Sequence, residues 1–371
     1  MGRLLTLVRR IRLSRKVEVL VVSSRHGHFL TAVTQGRRVM VVDPTAFPLL
    51  LSIRFFFEFA RRRRQVTRVS NYILALATAT KARVVLASDA VRELTEVAGA
   101  NEELSVVAVM HGFYVDQGEV NFREGWTTRQ DSAVSLFALG EYDLTHYRRW
   151  GNTHREVFPV GSANNCLYLL QRHKKPDSRF DICLVQGALN PNPADEFARA
   201  RLTNWEKIAE FVSRLAELQG LSVGIALNTS SKEGEIRDWF SRRIPGATFI
   251  ASSSNPFATY EAIDGARVSI GEASTSLIEG LARRNKCVAM NFTSLDLLSL
   301  PVPALVSMKN PDFNEFEDRI NSLLDMPHED FWAAVKDGVE RLINVEEQHL
   351  TISRIRDFVA ERCDTRSPRR L

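Results

Sequence analysis

The stretch Val268–Thr293, VSIGEASTSLIEGLARRNKCVAMNFT, gathers residues that can hold a phosphate. An apolar run, Val268–Ile270, leads into a loop of small residues around Glu272, Gly271-Glu-Ala-Ser-Thr-Ser276. An amphipathic helix over Leu277–Arg284 and a second apolar run, Cys287–Phe292, complete a strand–turn–helix–strand unit. Ser274, Thr275 and Ser276 then stand at a helix N-terminus, where free N–H groups and the positive end of the macrodipole attract an anion. Glu279 lies one turn further on, placed for a carboxylate to meet a ribose hydroxyl. The same serine or threonine also serves as a plain N-cap, which many helices carry, so the rest of the chain has to decide between the two.

That chain alternates buried-strand patterns with helical ones. Val17–Ser23 is apolar throughout and runs into a Gly-containing loop that carries His26 and His28. A helix-compatible stretch and a second strand, Arg38–Val42, follow. This is the opening unit of a doubly wound sheet, and the two histidines fall at the carboxyl end of its first strand, where such sheets bind ligands. Arg83–Ala87, Leu104–Met110, Ala133–Leu139 and Val157–Val160 continue the pattern, and Leu104–Met110 stops abruptly at His111-Gly112. A polar stretch with one proline, Leu170–Arg179, reads as a linker. Strands then resume at Phe180–Val185, Ser222–Leu227, Ala247–Ile250 and Val268–Ile270, separated by helices, with further helices over 314–324, 329–342 and 346–360. The expected fold is α/β, two Rossmann-like domains over 1–170 and 171–371. The second ends in a helical tail, and a ligand cleft is expected between the domains.

A chain of 371 residues suits two domains, and no apolar run approaches a membrane span. The N-terminal run MGRLLTLVRRIRLSRK is charged throughout and lacks a small-residue cleavage site, so a secretory leader is not expected. The four cysteines are scattered without metal-ligand spacing, which points to a reduced, cytoplasmic protein. Charge is uneven. Up to Arg83, 17 Lys and Arg stand against Glu18, Asp43 and Glu58, a net +14; the whole chain carries +5, leaving −9 for the remainder. The basic N-terminal helix, and the cluster Phe55, Phe56, Phe57 and Phe59 followed by Arg61, Arg62, Arg63 and Arg64, suit the anionic headgroup layer of an inner membrane. Core phenylalanines with a solvated arginine end are the simpler alternative. Nothing resembles a nucleic-acid-binding motif.

Three passages, VVAVMHGFYVD, FALGEYDLTHYRRWGNTHREVFPVGS and GEASTSLIEGLARRNKCVAM, resemble in order those of GT-B-type transferases of bacterial surface-carbohydrate biosynthesis. The likeness is to CDP-glycerol glycerophosphotransferases and capsule glycosyltransferases, and it covers roughly Val84–Thr293. It implies transfer from a nucleotide-activated donor to an acceptor hydroxyl on a surface polysaccharide or glycolipid, without an obligatory metal. Ser274, Thr275 and the helix N-terminus would then take the leaving-group charge and Glu279 the ribose. Gly187, Asn228 and Ser254 would line the nucleotide pocket. His111 matches the histidine proposed as base in the glycerophosphotransferases, a task that an imidazole titrating near neutrality suits. Asp116 and Glu119 are the rival bases, and a loop-fixing role for His111 is the plainer one. One departure matters: where many relatives carry His-Pro, this chain reads Ala226-Leu227-Asn228-Thr229-Ser230, which argues against a CMP-sugar donor. A glycerol- or polyol-phosphate transferase, and a GT-B-shaped partner protein without turnover, are the competing functions.

Overall fold

The computed structural model describes residues 16–23, 27–43, 59, 67–88, 92–110, 112, 132–149, 154–172, 178–187, 189–228, 232–251 and 255–365. They form two compact units, one built from 16–110, 132–167 and 346–365, the other from 112 and 168–345. Among the described residues no helix is long and apolar enough to cross a membrane. His26, Arg61, Arg62, Arg63, Arg64, His111, Asp116, Glu119 and Ser254 lie outside the described residues.

The first unit runs β1 (Val19–Val22), α1 (Gly27–Val33), β2 (Val39–Val42), α2 (Arg68–Thr80), β3 (Val84–Ser88), α3 (Arg92–Ala100), β4 (Ser105–Val109), β5 (Ser132–Ala138), α4 (Glu141–Arg149) and β6 (His154–Pro159). Its sheet has the order β2-β1-β3-β4-β5-β6, and every pairing is parallel. Parallel strands are covered on both faces, which is why β1, β3 and β4 read as continuous apolar runs and are buried. The chain reverses its direction of travel across the sheet between β1 and β3, so the loop after β1 opens at a topological switch point. The backbone of His28 stands there, at the start of α1.

Helix α5 (Ala163–Gln171) follows, a helix the sequence pattern does not announce, and it takes in the first two residues of the expected linker, Leu170 and Gln171. The second unit then runs β7 (Phe180–Val185), α6 (Glu196–Gln219), β8 (Val223–Ala226), α7 (Glu233–Ser241), β9 (Thr248–Ile250), α8 (Ala258–Asp264), β10 (Ala266–Gly271), α9 (Thr275–Ala282), β11 (Cys287–Asn291), β12 (Ser307–Lys309), α10 (Phe313–Asp325) and α11 (His328–Leu342). Its sheet order is β12-β11-β10-β7-β8-β9, again with every pairing parallel. Helix α6 is started by Asp195, whose side chain accepts from the Ala198 N–H at 2.7 Å, and ends at Gly220 in the left-handed conformation that favours glycine. Its buried stripe, Trp205, Ile208, Ala209, Val212 and Leu215, packs on the sheet. Asn204 ties it to β11, donating to the Met290 carbonyl at 3.1 Å and accepting from the Phe292 N–H at 2.7 Å.

The final helix, α12 (Thr351–Asp364), departs from the sequence reading, which placed it with the second half. It packs on the first unit. Ile352, Ile355 and Val359 are buried, and the Phe358 ring meets those of Phe137 and Phe158, each at 5.3 Å. The Gln348 amide, just before it, donates to the Ser162 carbonyl at 2.6 Å and accepts from the Ser162 N–H at 3.3 Å. Thr351 Oγ1 donates to the Val160 carbonyl at 2.5 Å. Ion pairs Arg37–Asp364 at 2.7 Å and Arg362–Glu156 at 2.8 Å hold its far end. Amphipathic periodicity shows that a helix must bury one face but not which sheet receives it.

Candidate functional site

In the second unit the chain leaves β7, moves outward through β8 and β9, and returns to build β10, β11 and β12 on the other side. The reversal falls between β7 and β10. In a parallel sheet the loops after two such strands lead to helices on opposite faces and leave a crevice at the strands' carboxyl ends. The loops begin at Gln186, after β7, and at Glu272, after β10.

Two glycines let these strand ends approach. A Cβ on Gly271 would lie 2.7 Å from the Val185 carbonyl oxygen, a backbone atom that cannot move aside. A Cβ on Gly187 would collide with Glu272 Oε1 and lie 2.9 Å from Arg201 Nη2. The carboxylate and the guanidinium therefore rest directly on the Gly187 backbone. Arg201, on the second turn of α6, donates from Nε to Glu272 Oε2 at 3.2 Å and from Nη2 to Oε1. The Glu272 side chain is fully buried and that of Arg201 is 17% exposed. Burial lowers the Arg201 pKa to about 10, which still leaves it a cation.

The loop that follows Glu272 is pinned. The Ala273 N–H donates to the Leu298 carbonyl at 3.2 Å. Ser274 is the N-cap of α9: its backbone is extended (φ −147°, ψ 151°) and its Oγ accepts from the Leu277 N–H at 3.3 Å. Ser276 presents a first-turn N–H that has no acceptor among the described residues. Ala273 through Ser276 are half-buried. The sequence-derived N-cap and the sequence-derived anion position are thus two features of one loop: Ser274 caps, and the next residues offer the helix terminus.

Glu279 is buried, and Tyr260 of α8 donates its hydroxyl to Oε2 at 2.8 Å. Burial, reinforced by the Glu279 carboxylate, holds the Tyr260 pKa well above the ordinary phenol value, so Tyr260 remains a donor. Asn228, at the end of β8, is exposed. Its N–H donates to Gln186 Oε1 at 2.8 Å, which joins the ends of β7 and β8. Gly187, Asn228, Glu272 and Ser274 therefore share the carboxyl edge of one sheet, as the sequence suggests. Among the described residues no group of three or more His, Cys, Asp and Glu is arranged to hold a metal ion.

Sequence reasoning misses two contributors. One is Arg201, whose partner lies 71 positions further along the chain. The other is the scaffold beneath α9. Asp264, at the end of α8, accepts from Tyr168 Oη at 3.0 Å, Arg172 Nη1 at 2.5 Å, Arg283 Nε at 2.8 Å and Asn285 Nδ2 at 2.6 Å. Arg283, the residue that ends α9, also lies over the rings of Tyr168 and Tyr260, at 5.1 and 4.8 Å. Asp264 and Arg283 thereby tie the C-terminal end of α9 to α8 and α5.

No protein-family model matches this sequence, and no curated protein matches it by sequence. Solved structures do match its fold. A glycosyltransferase from Rickettsia africae superposes with a TM-score of 0.56 at 10% identity, covering 95% of this chain and 100% of the other. The UDP complex of S. aureus MnaA gives 0.58 at 11% identity, covering 91% and 94%. The wall teichoic acid polymerase TagF gives 0.55 at 11% identity, covering 98% and 97%. At such identities the likeness establishes the fold, a two-domain α/β architecture of the GT-B type, and leaves chemistry to be argued from the residues.

Proposed function

We propose that the protein is a glycosyltransferase that moves a sugar from a nucleotide-activated donor to a surface polysaccharide or glycolipid. The observation that carries this reading is the Ser274-capped N-terminus of α9, at the β7/β10 reversal, with a Ser276 N–H that has no acceptor among the described residues. Transfer from a nucleotide donor builds negative charge on the departing phosphate. A fixed set of N–H and O–H donors at a helix terminus stabilises that charge without reorganising. Ser274, Thr275 and Ser276 serve this role, Glu279 takes the ribose, and Gly187, Asn228 and Ser254 line the nucleotide. His111, which follows β4, is the base that accepts the proton of the acceptor hydroxyl, with Asp116 and Glu119 as its competitors; His26 and His28 are assigned to acceptor binding. The neighbouring folds support a nucleotide donor, since MnaA was solved with UDP and an epimerase from Methanocaldococcus jannaschii with UDP-GlcNAc and UDP.

Thermal unfolding with CMP, CDP, UDP and GDP, each in large excess, tests the reading. A ligand at about a hundred times its dissociation constant stabilises by roughly 2.7 kcal/mol, which raises the midpoint by about 5–10 °C. One nucleotide is expected to do so. If none does, the loop is only a cap, and a GT-B-shaped protein without turnover becomes the better description. A glycerol- or polyol-phosphate transferase is distinguished by which activated donor is then consumed. The His111→Ala variant is expected to lose turnover by about 100-fold or more while keeping the nucleotide-dependent shift. An unchanged rate removes His111 from the mechanism and promotes Asp116 or Glu119.

A further inference from the structure

A buried ion pair is a poor device for stability alone. Removing two charges from water costs several kcal/mol, and apolar residues of the same volume often do as well or better. The Arg201–Glu272 pair nonetheless occupies the mouth of the β7/β10 crevice, where a parallel sheet binds its ligand. Its geometry is asymmetric. Glu272 engages the Nε–Nη2 edge of the guanidinium, and Nη1 has no acceptor among the described residues. The Phe197 ring stands 5.7 Å from the guanidinium carbon, one turn away on α6. Held by Glu272 on one edge, beside an aromatic ring and against the bare backbone of Gly187, the guanidinium is fixed in place, with its Nη1 edge unengaged among the described residues. A planar, permanently charged fork of this kind matches phosphate oxygens better than an ammonium does. A group ordered in advance binds without the entropic cost of ordering a long side chain.

We propose that Arg201 is the cation that grips the diphosphate of the nucleotide donor, with Glu272 as the positioning residue that presents it. This rests on the donor-binding reading above and adds a residue to it. Ser276 and the α9 terminus supply neutral donors at the crevice, and Arg201 supplies the charge. Glu272, which holds the guanidinium, lies four residues before Ser276, so the ion pair and the α9 terminus belong to one β10–α9 connection.

The test uses the full chain. Binding is measured for whichever of UDP, CDP and GDP the wild type takes, and for the matching nucleoside at millimolar concentration. Arg201→Gln is expected to weaken the diphosphate about 10- to 100-fold, the scale of a lost charge-assisted hydrogen bond, and to leave the nucleoside unchanged. Arg201→Lys is expected to fall between the two. A second variant, Arg201→Gln with Glu272→Gln, replaces the ion pair by two amides, leaves no unpaired charge, and is expected to show the same loss. Diphosphate affinity within twofold of wild type in Arg201→Gln overturns the proposal while leaving the donor reading intact. So does an equal loss for the nucleoside, or recovery in the double variant, which would trace the loss to a stranded Glu272. If the wild type binds none of the three diphosphates, the donor reading and the proposal fall together.

Discussion

Asp264→Asn is expected to lower the unfolding free energy of the second unit by about 3–5 kcal/mol at neutral pH, the usual cost of leaving one partner of a buried ion pair alone. The Asp264 side chain is fully buried, and that of Arg283 is only 1% exposed. Neither charge can turn to water when the other is lost. The effect also carries a pH signature. Burial pushes the Asp264 carboxyl up, but Arg283, the Tyr168 hydroxyl and the Asn285 amide outweigh it and hold the pKa below the ordinary carboxylate value. A carboxyl whose pKa is depressed on folding stabilises above its unfolded pKa of about 3.9 and loses that contribution as the pH falls through the folded value. The difference between wild type and Asp264→Asn should therefore be full at pH 7 and shrink below about pH 4. Urea unfolding followed by tryptophan fluorescence at pH 7 and pH 3.5 reads both, since Trp205, Trp239 and Trp332 all belong to this unit. A difference below 1 kcal/mol at pH 7, or one of equal size at the two pH values, would remove Asp264 as the group that anchors α9.

Much of this arrangement is legible in the sequence, and the boundary of what is legible has a physical cause. Buried parallel strands such as VLVV and SVVAV declare themselves by continuous apolar runs. The Ser274 cap is local chemistry, settled within four residues, and the structure contains it. Strand order is not local. That β10 returns beside β7, and so creates a switch point, depends on pairings between Ile270 and Leu184 and their neighbours, which lie far apart in the chain. Arg201 is one of several arginines on an amphipathic helix, and nothing in its surroundings along the chain marks it as the partner of Glu272. Helix α5 escapes notice because ANNCLYLLQ opens with residues that favour caps and turns. Strand β12 has three residues and no apolar run to announce it. The destination of α12 is settled by Gln348 and Phe358 meeting partners about 190–220 positions earlier.

The largest effect at the site itself concerns the same pair from the side of stability. Arg201→Met is expected to cost about 3–5 kcal/mol, because Glu272 would remain fully buried with its cation gone. Adding Glu272→Leu should return most of that loss and bring the double variant to within about 1 kcal/mol of wild type or above it, since two apolar side chains can fill the volume without any desolvation cost. The double-mutant cycle isolates the coupling, which is expected to exceed 2 kcal/mol for groups in direct contact. Such a result would separate two reasons for keeping a buried ion pair. A protein that folds as well without Arg201 and Glu272 does not keep them for stability, and their place at the β7/β10 crevice then follows from what binds there. The opposite result is equally informative. If the double variant is as unstable as Arg201→Met alone, the pair itself holds the ends of β7 and β10 together over Gly187, and the charge at the crevice mouth is a structural clamp.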